Sequence, residues 1–416
     1  MRPRSTRTIR TRTVDLVWFN AGGGHRAAAS ALECGIQAAR LPWRVRKVNL
    51  TEVLDPNGLF KRLFGFEPEA IYNRRLATGF TLGLAQELKV FQQLIRLAHE
   101  SLVERLARHW RESEPDLVVS LIPNFNRALH DALALARPGV PFVTVLTDMA
   151  DHPPSFWIEP ALDQHVVCGT DHAVEQALAA GCAARRVHRV TGMLLRPDFY
   201  AHAVVDREAE RARLGIDAKT PTGLVLFGGA GSNAMKRVAQ RLPSTPLILM
   251  CGRNEALAAD LRALPARAPR IVVGFTPDVA RWMRLADFFI GKPGPGSLTE
   301  AVQCGLPVVV TRNAWTMPQE RWNTEWVRAR GVGVVHRSFR SVRAAVDEIV
   351  GDLPRFRANV RGIENRALFE VPRVLERIVV QECGSSKRGG ERWRTSSGRA
   401  GAMTSRTTTI RRQRRI

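Results

Sequence analysis

Two stretches of the chain carry side chains able to move protons. His25 follows Gly22, Gly23 and Gly24, directly after a short apolar run. Asp148, Asp151 and His152 fall together in Thr147-Asp148-Met149-Ala150-Asp151-His152-Pro153-Pro154. An imidazole or carboxylate at the carboxyl end of a strand can act as a general acid or base. Plainer readings stand beside this one, with His25 capping a helix in a tight turn and Asp148 capping a turn before a rigid proline pair.

Three further stretches suit an anionic or hydroxyl-rich ligand. In Gly291-Lys292-Pro293-Gly294-Pro295-Gly296-Ser297-Leu298-Thr299-Glu300, a strand-like run precedes and a helix follows. Gly296 and Ser297 then offer backbone N–H groups at a helix N-terminus, an arrangement that fits a diphosphate. Glu300, one turn in, can accept hydrogen bonds from ribose hydroxyls or simply balance the helix dipole. Phe227-Gly228-Gly229-Ala230-Gly231-Ser232 repeats the arrangement, and a tight strand–helix turn explains it equally well. Gln319, Glu320 and Asn323 form a short polar cluster able to satisfy sugar hydroxyls, although such residues are also common on solvated loops.

Several chemistries lose support. The glycines before His25 lack the GxGxxG spacing, and Asn49 stands where a dinucleotide-binding strand would end in an acid. No GxxxxGK[ST] stretch is present, so a nucleotide-hydrolysing P-loop is not expected. The six cysteines form no CxxC pair and no zinc spacing, which predicts a reduced, cytosolic chain without a structural metal.

These residues need elements to position them. Short β-rich runs alternate with helical stretches: Val14–Asn20, Trp43–Leu50, Leu117–Ile122, Phe142–Asp148 and His165–Gly169 read as strands. The pattern breaks near Pro197 and restarts with Gly223–Phe227, Leu247–Cys251, Arg270–Val273, Asp287–Ile290, Pro307–Thr311 and Val332–Val335. Alternation of this kind means βαβ units and parallel sheets. The expected fold is α/β, with two doubly wound Rossmann-like domains facing a central cleft. The expected divisions are a basic disordered N-terminus at 1–13, an N-terminal domain at 14–200, a C-terminal domain with a final helix at 201–383, and a basic disordered tail at 384–416.

The net charge of +23 across 416 residues suggests nucleic acid or an anionic membrane. Residues 1–13 supply five of these charges and residues 381–416 supply eight, which leaves a mildly basic body. No aromatic interleaving accompanies the basic tail, so nucleic acid is not expected as a partner. Phe60, Lys61, Arg62 and Phe64 combine apolar bulk with positive charge, as a membrane-contacting segment does. A long helix over 84–110, apolar at Leu88, Phe91, Ile95, Leu102 and Leu106, reads as ordinary core packing.

Taken in order, Gly22–Leu32, Thr147–Trp157, Val190–Phe199, Phe227–Ser232, Cys251–Leu257, Gly274-Phe275, Lys292–Val309 and Gln319–Asn323 resemble glycosyltransferase family 28. The branch is that of the monogalactosyldiacylglycerol synthases and processive diacylglycerol glycosyltransferases. The resemblance implies a GT-B fold, with the acceptor site in the N-terminal domain and the nucleotide-sugar site in the C-terminal one. It implies inverting transfer of a hexose from a UDP-sugar to a lipid hydroxyl, most naturally that of diacylglycerol, without a cofactor or a required metal. Position by position, Gly294, Gly296 and Ser297, helped by Gly229, Gly231 and Ser232, would hold the diphosphate. Phe275 would border the uracil, Glu300 the ribose, and Gln319, Glu320 and Asn323 the sugar, with Arg253 near the donor. His25 and Asp148 would face the acceptor, beside Gly23 and Gly24, and one of the two would be the base. The expected location is the inner face of the cytoplasmic membrane, peripherally bound. Two alternatives remain: a nucleotide-sugar 2-epimerase of the same fold, and a non-catalytic basic module for membrane or nucleic acid.

Overall fold

The computed structural model describes residues 11–20, 23–55, 84–160, 162–201 and 206–395. Each half of the chain builds one six-stranded parallel sheet. In the first, β1 (Arg12–Trp18), β2 (Trp43–Asn49), β3 (Leu117–Ser120), β4 (Phe142–Val145), β5 (His165–Cys168) and β6 (Val187–Arg189) lie in the order β2-β1-β3-β4-β5-β6. In the second, β7 (Gly223–Leu226), β8 (Leu247–Gly252), β9 (Arg270–Gly274), β10 (Phe288–Gly291), β11 (Val308–Thr311) and β12 (Gly333–His336) lie in the order β12-β11-β10-β7-β8-β9. Counted within its own half, the second order is that of a classical dinucleotide-binding sheet.

The central strands are short, apolar and buried on both faces, as parallel sheets between helical layers require. Every strand expected from sequence is present to within three residues. The three-residue β6 at the sheet edge went unread, because Val187-His188-Arg189 carries too little apolar signal.

The strand order reverses between β1 and β3 in one sheet and between β7 and β10 in the other. Loops leaving such a pair diverge to opposite faces and open a crevice at the carboxyl edge. His25 follows β1, Ser232 follows β7 and Ser297 follows β10, so the topology brings the candidate residues to the two reversal points.

Two differences from the sequence expectation concern helices. The helix expected over 84–110 is two, Leu84–Leu97 and His99–Ser113, separated at Ala98. Leu106 and Trp110 are core, but the first helix leaves Val90, Leu94 and Leu97 exposed, the last at 84%. Periodicity shows which residues share a helix face, not whether another element covers it. The final helix, expected to lie within 201–383, runs over Ala367–Thr395 and so continues into the stretch expected as a disordered tail.

That helix does not cap the half it follows in sequence. Ala367, Val371, Val374, Leu375 and Ile378 are buried against Val14, Leu16, Leu32 and Ile36 of the first half. Gly35 makes the close approach possible, since a Cβ there would lie 2.5 Å from the Leu368 carbonyl oxygen. The chain therefore crosses between halves twice. At the crossing, Thr191 donates from its backbone N–H and its hydroxyl to Glu370, at 2.7 and 2.9 Å.

Candidate active site

On the N-terminal side, Gly23 turns the chain with φ of 78° and His25 enters the helix Gly24–Ala38. His25 Nδ1 lies 2.8 Å from the Leu121 carbonyl oxygen and 3.1 Å from Thr147 Oγ1. A carbonyl can only accept, so Nδ1 carries the hydrogen and Nε2 keeps its lone pair. Burial pushes the imidazole pKa down to about 4, so the ring is neutral at physiological pH. Phe19 and Trp157 flank it, with ring centroids at 4.7 and 5.9 Å.

Asp148 lies close by. The Trp157 indole donates to its Oδ2 at 2.9 Å. Burial raises the Asp148 carboxyl to about 7, against the lowering effect of that hydrogen bond, while Glu320 and Lys292 act on it across the cleft. Asp151, two residues before the proline pair, has a different task. It accepts from the backbone N–H of Trp157 at 2.6 Å and of Ser155 at 3.0 Å, and so folds the loop that seats Trp157.

On the C-terminal side, the helix Pro295–Gln303 starts at Gly294 with no acidic residue in its first turn. Pro295 has no N–H, which leaves those of Gly296 and Ser297 pointing outward at the dipole's positive end. Open space surrounds Gly296 where a Cβ would be. The Gly228–Ser232 loop packs on the loop after β8. Arg253 donates from its backbone to Gly229 O at 3.1 Å, and a Cβ on Gly252 would sit 2.0 Å from that same oxygen. The Arg253 guanidinium lies 4.5 Å from the centroid of Phe275, which is 61% exposed. Burial raises the Glu300 carboxyl to about 7, with Arg196 acting against it. Among the described residues the Glu300 carboxylate has no hydrogen-bond partner.

The polar cluster on the helix Pro318–Arg330 is buried rather than displayed. Glu320, 3% exposed, pairs with Lys292 at 2.7 Å. Asn323, fully buried, donates to the Pro293 carbonyl at 2.8 Å and so supports the loop from beneath. Its amide oxygen is left without a partner among the described residues. Gln319 keeps a buried amide oxygen with no partner among the described residues. Phe60, Lys61, Arg62 and Phe64 lie outside the described residues, as does Gly22.

No protein-family model matches the chain. It is 27% identical over 406 residues to the probable monogalactosyldiacylglycerol synthase 2, chloroplastic, of Oryza sativa subsp. indica, covering 91% of this chain and 83% of that one. It is 26% identical over 416 residues to monogalactosyldiacylglycerol synthase 2, chloroplastic, of Arabidopsis thaliana, covering 89% and 82%. The chain is thus similar along most of its length to monogalactosyldiacylglycerol synthases. Its fold matches that of Arabidopsis thaliana UGT89C1 complexed with UDP, with a TM-score of 0.58 at 15% identity over 90% of this chain and all of that one. The fold is GT-B.

Within this glycosyltransferase, several residues that complete the site carry little signal in the sequence. Thr147 and Trp157 sit in the quoted Thr147–Trp157 stretch but carry no signal of their hydrogen bonds to His25 and Asp148. Lys292 was readable as a cation near the glycines, though not as the partner of Glu320. Leu121 contributes only its backbone carbonyl, which no side-chain pattern could reveal.

Proposed function

We propose that this glycosyltransferase moves a hexose from a UDP-sugar to the hydroxyl of a lipid, diacylglycerol being the favoured acceptor, with inversion at the anomeric carbon. The observation that carries the proposal is the state of His25: neutral, held by Leu121 through Nδ1, and offering Nε2 at one reversal point while a helix N-terminus opens at the other. The likeness to the monogalactosyldiacylglycerol synthases supports the lipid acceptor.

In the proposed step, His25 Nε2 takes the proton of the acceptor hydroxyl as its oxygen bonds to the anomeric carbon. The bond from that carbon to the UDP oxygen breaks, and the electron pair leaves with the diphosphate. The N–H groups of Gly296 and Ser297 stabilise that charge, aided by the Gly229–Ser232 loop. Asp148, raised to about 7 and so only partly ionised near neutral pH, accepts from the Trp157 indole and holds it beside His25. Glu300 faces the ribose, Phe275 and Arg253 border the base, and Gln319 and Glu320 border the sugar from below.

Among the described residues no helix is long and apolar enough to cross a membrane. Contact with the bilayer is proposed to be peripheral, through the helix Leu84–Leu97, where Val90, Leu94 and Leu97 are exposed beside Lys89 and Arg96.

The test is incubation with lipid extract and a panel of UDP-sugars, with products identified by mass spectrometry. A hexosylated lipid formed by the native chain and lost in His25→Ala supports the reading. Epimerisation of UDP-sugar without lipid would overturn it.

A further inference from the structure

Across the cleft, a helix of one half touches a helix of the other. His172 is the second residue of the helix Asp171–Ala179, and Trp322 lies on the helix Pro318–Arg330. Their rings stack with centroids 4.7 Å apart and planes 10° from parallel. Trp322 packs against the core cluster that also buries Met149, the neighbour of Asp148. His172 Nε2 is buried without a hydrogen-bond partner among the described residues, and Nδ1 lies 3.8 Å from Glu175. The stack, rather than a hydrogen bond, therefore places the imidazole. Arg330 approaches Asp171 at 3.8 Å further along the same helix, but both side chains are more than half exposed, where ion pairs hold little.

Each ring of the stack is tied to one side of the reaction. On the first side, Thr170 caps the helix Asp171–Ala179 by accepting from the Ala173 N–H at 3.1 Å, and donates its hydroxyl to the Met149 carbonyl at 2.6 Å. Gln176 of the same helix donates to the Asp151 carbonyl at 3.0 Å and accepts from the Asp151 N–H at 2.8 Å. The helix is thus fastened to the loop that carries Asp148 and seats Trp157 near His25. On the second side, neighbours of Trp322 on its helix hold the loop of Gly294, Gly296 and Ser297. Asn323 donates to the Pro293 carbonyl at 2.8 Å, and Glu320 accepts from Lys292 at 2.7 Å. The supports of the two facing loops therefore meet at one pair of rings.

We propose that His172 and Trp322 are positioning residues, whose stack fixes the distance between His25 and the helix N-terminus that receives the leaving diphosphate. The inference rests on the proposed transfer of a hexose to a lipid hydroxyl. Neither ring is among the residues placed around donor or acceptor, and both act through the elements they hold. In a one-step displacement the attacking oxygen, the anomeric carbon and the leaving oxygen must lie in line, with the reacting atoms about 3–3.5 Å apart. A shift of about 1 Å between the halves therefore costs rate. The groups assigned to UDP all belong to the second half, so they keep their mutual geometry, and the donor its affinity, when the stack is lost.

The experiment uses the full chain and the variants His172→Ala, Trp322→Ala, the two combined, and His172→Phe. Hexosyl transfer to lipid extract gives kcat, and calorimetry gives UDP affinity. Small-angle scattering of the UDP-bound chain follows the separation of the halves without reference to the reaction. Each alanine variant should lower kcat by about tenfold to a hundredfold, while UDP affinity stays within about twofold and so reports a folded chain. The combined variant should lose no more than the worse single one, because the two rings make one contact. His172→Phe keeps a flat ring on the indole and should bring kcat back to within about threefold of native. The radius of gyration should rise in the alanine variants and return in His172→Phe. Unchanged turnover with unchanged scattering would overturn the proposal. A fall in UDP affinity equal to the fall in kcat would do the same, since the stack would then only support the donor site. A native chain that forms no hexosylated lipid defeats the transfer reading, and scattering then decides by itself whether the stack sets the separation of the halves.

Discussion

At the scale of single residues, the decisive feature is that burial shifts three ionisable groups toward their uncharged forms. His25 binds a proton only near pH 4 in the fold, against 6.5 for an ordinary imidazole. Its contribution to stability is present above 6.5 and lost as pH falls through 4. The base is therefore neutral throughout the physiological range, and a kcat/KM profile should show no histidine inflection between pH 6 and 8. His25→Ala should cost roughly 10²–10⁴-fold in turnover while UDP binding, followed by calorimetry, stays within a few-fold. Asp148 runs the opposite way. Its folded pKa near 7 exceeds the ordinary 3.8, so the stability it contributes is full below pH 4 and is lost as pH rises through 7. Asp148→Asn keeps an oxygen for the Trp157 indole and removes the buried ionisation. Thermal melts should show this variant gaining on the native chain from pH 5 to pH 8, by about 1–3 kcal/mol. Glu300 supplies a third test. If its carboxylate meets the ribose, Glu300→Ala should bind UDP and 2′,3′-dideoxy-UDP equally, whereas the native chain should prefer UDP by about tenfold.

At the scale of elements, loops rather than regular structure set the site, and two of them depend on contacts that sequence spacing does not show. The Lys292–Glu320 pair joins the loop after β10 to the helix Pro318–Arg330, and Asn323 supports the same loop from below. Lys292→Met leaves the Glu320 carboxyl buried without its partner. Urea midpoints should fall by an amount corresponding to about 1–3 kcal/mol, the partly exposed lysine placing the cost below that of a fully buried pair. Gly252 has φ of 59° and sits against Gly229 O, so a side chain there meets both strain and a clash. Gly252→Val should weaken UDP binding before it unfolds the second sheet. The glycine-rich motifs were legible because a ligand-approaching turn demands glycine. The burial of Gln319, Glu320 and Asn323 was not, because polar residues on an exposed loop and under a loop look alike in sequence.

At the scale of the whole molecule, the two halves are tied together by the chain crossing twice and by direct contacts across the cleft. The Trp322 indole stacks on His172 with centroids 4.7 Å apart and planes 10° from parallel, and Arg330 approaches Asp171 at 3.8 Å. The final helix completes the core of the half it does not follow. Truncation after Gly362 should therefore unfold the first half selectively: two calorimetric transitions in place of one coupled unfolding, with strong binding of a hydrophobic dye at room temperature. A single transition at the native temperature would show that the helix is dispensable.

The sequence by itself determined the period of the elements, and hence two parallel sheets, because alternation of short apolar runs with helical stretches admits few other packings. It also determined where glycine must precede a helix, since only that residue type lets a backbone turn and a ligand approach. Tertiary structure alone decided which nitrogen of His25 is free, which carboxyls stay protonated, and whether a polar residue faces the cleft or supports it. Each of these depends on what surrounds a group in space. Desolvation and hydrogen bonding act over a few ångströms, between residues that lie tens or hundreds of positions apart in sequence.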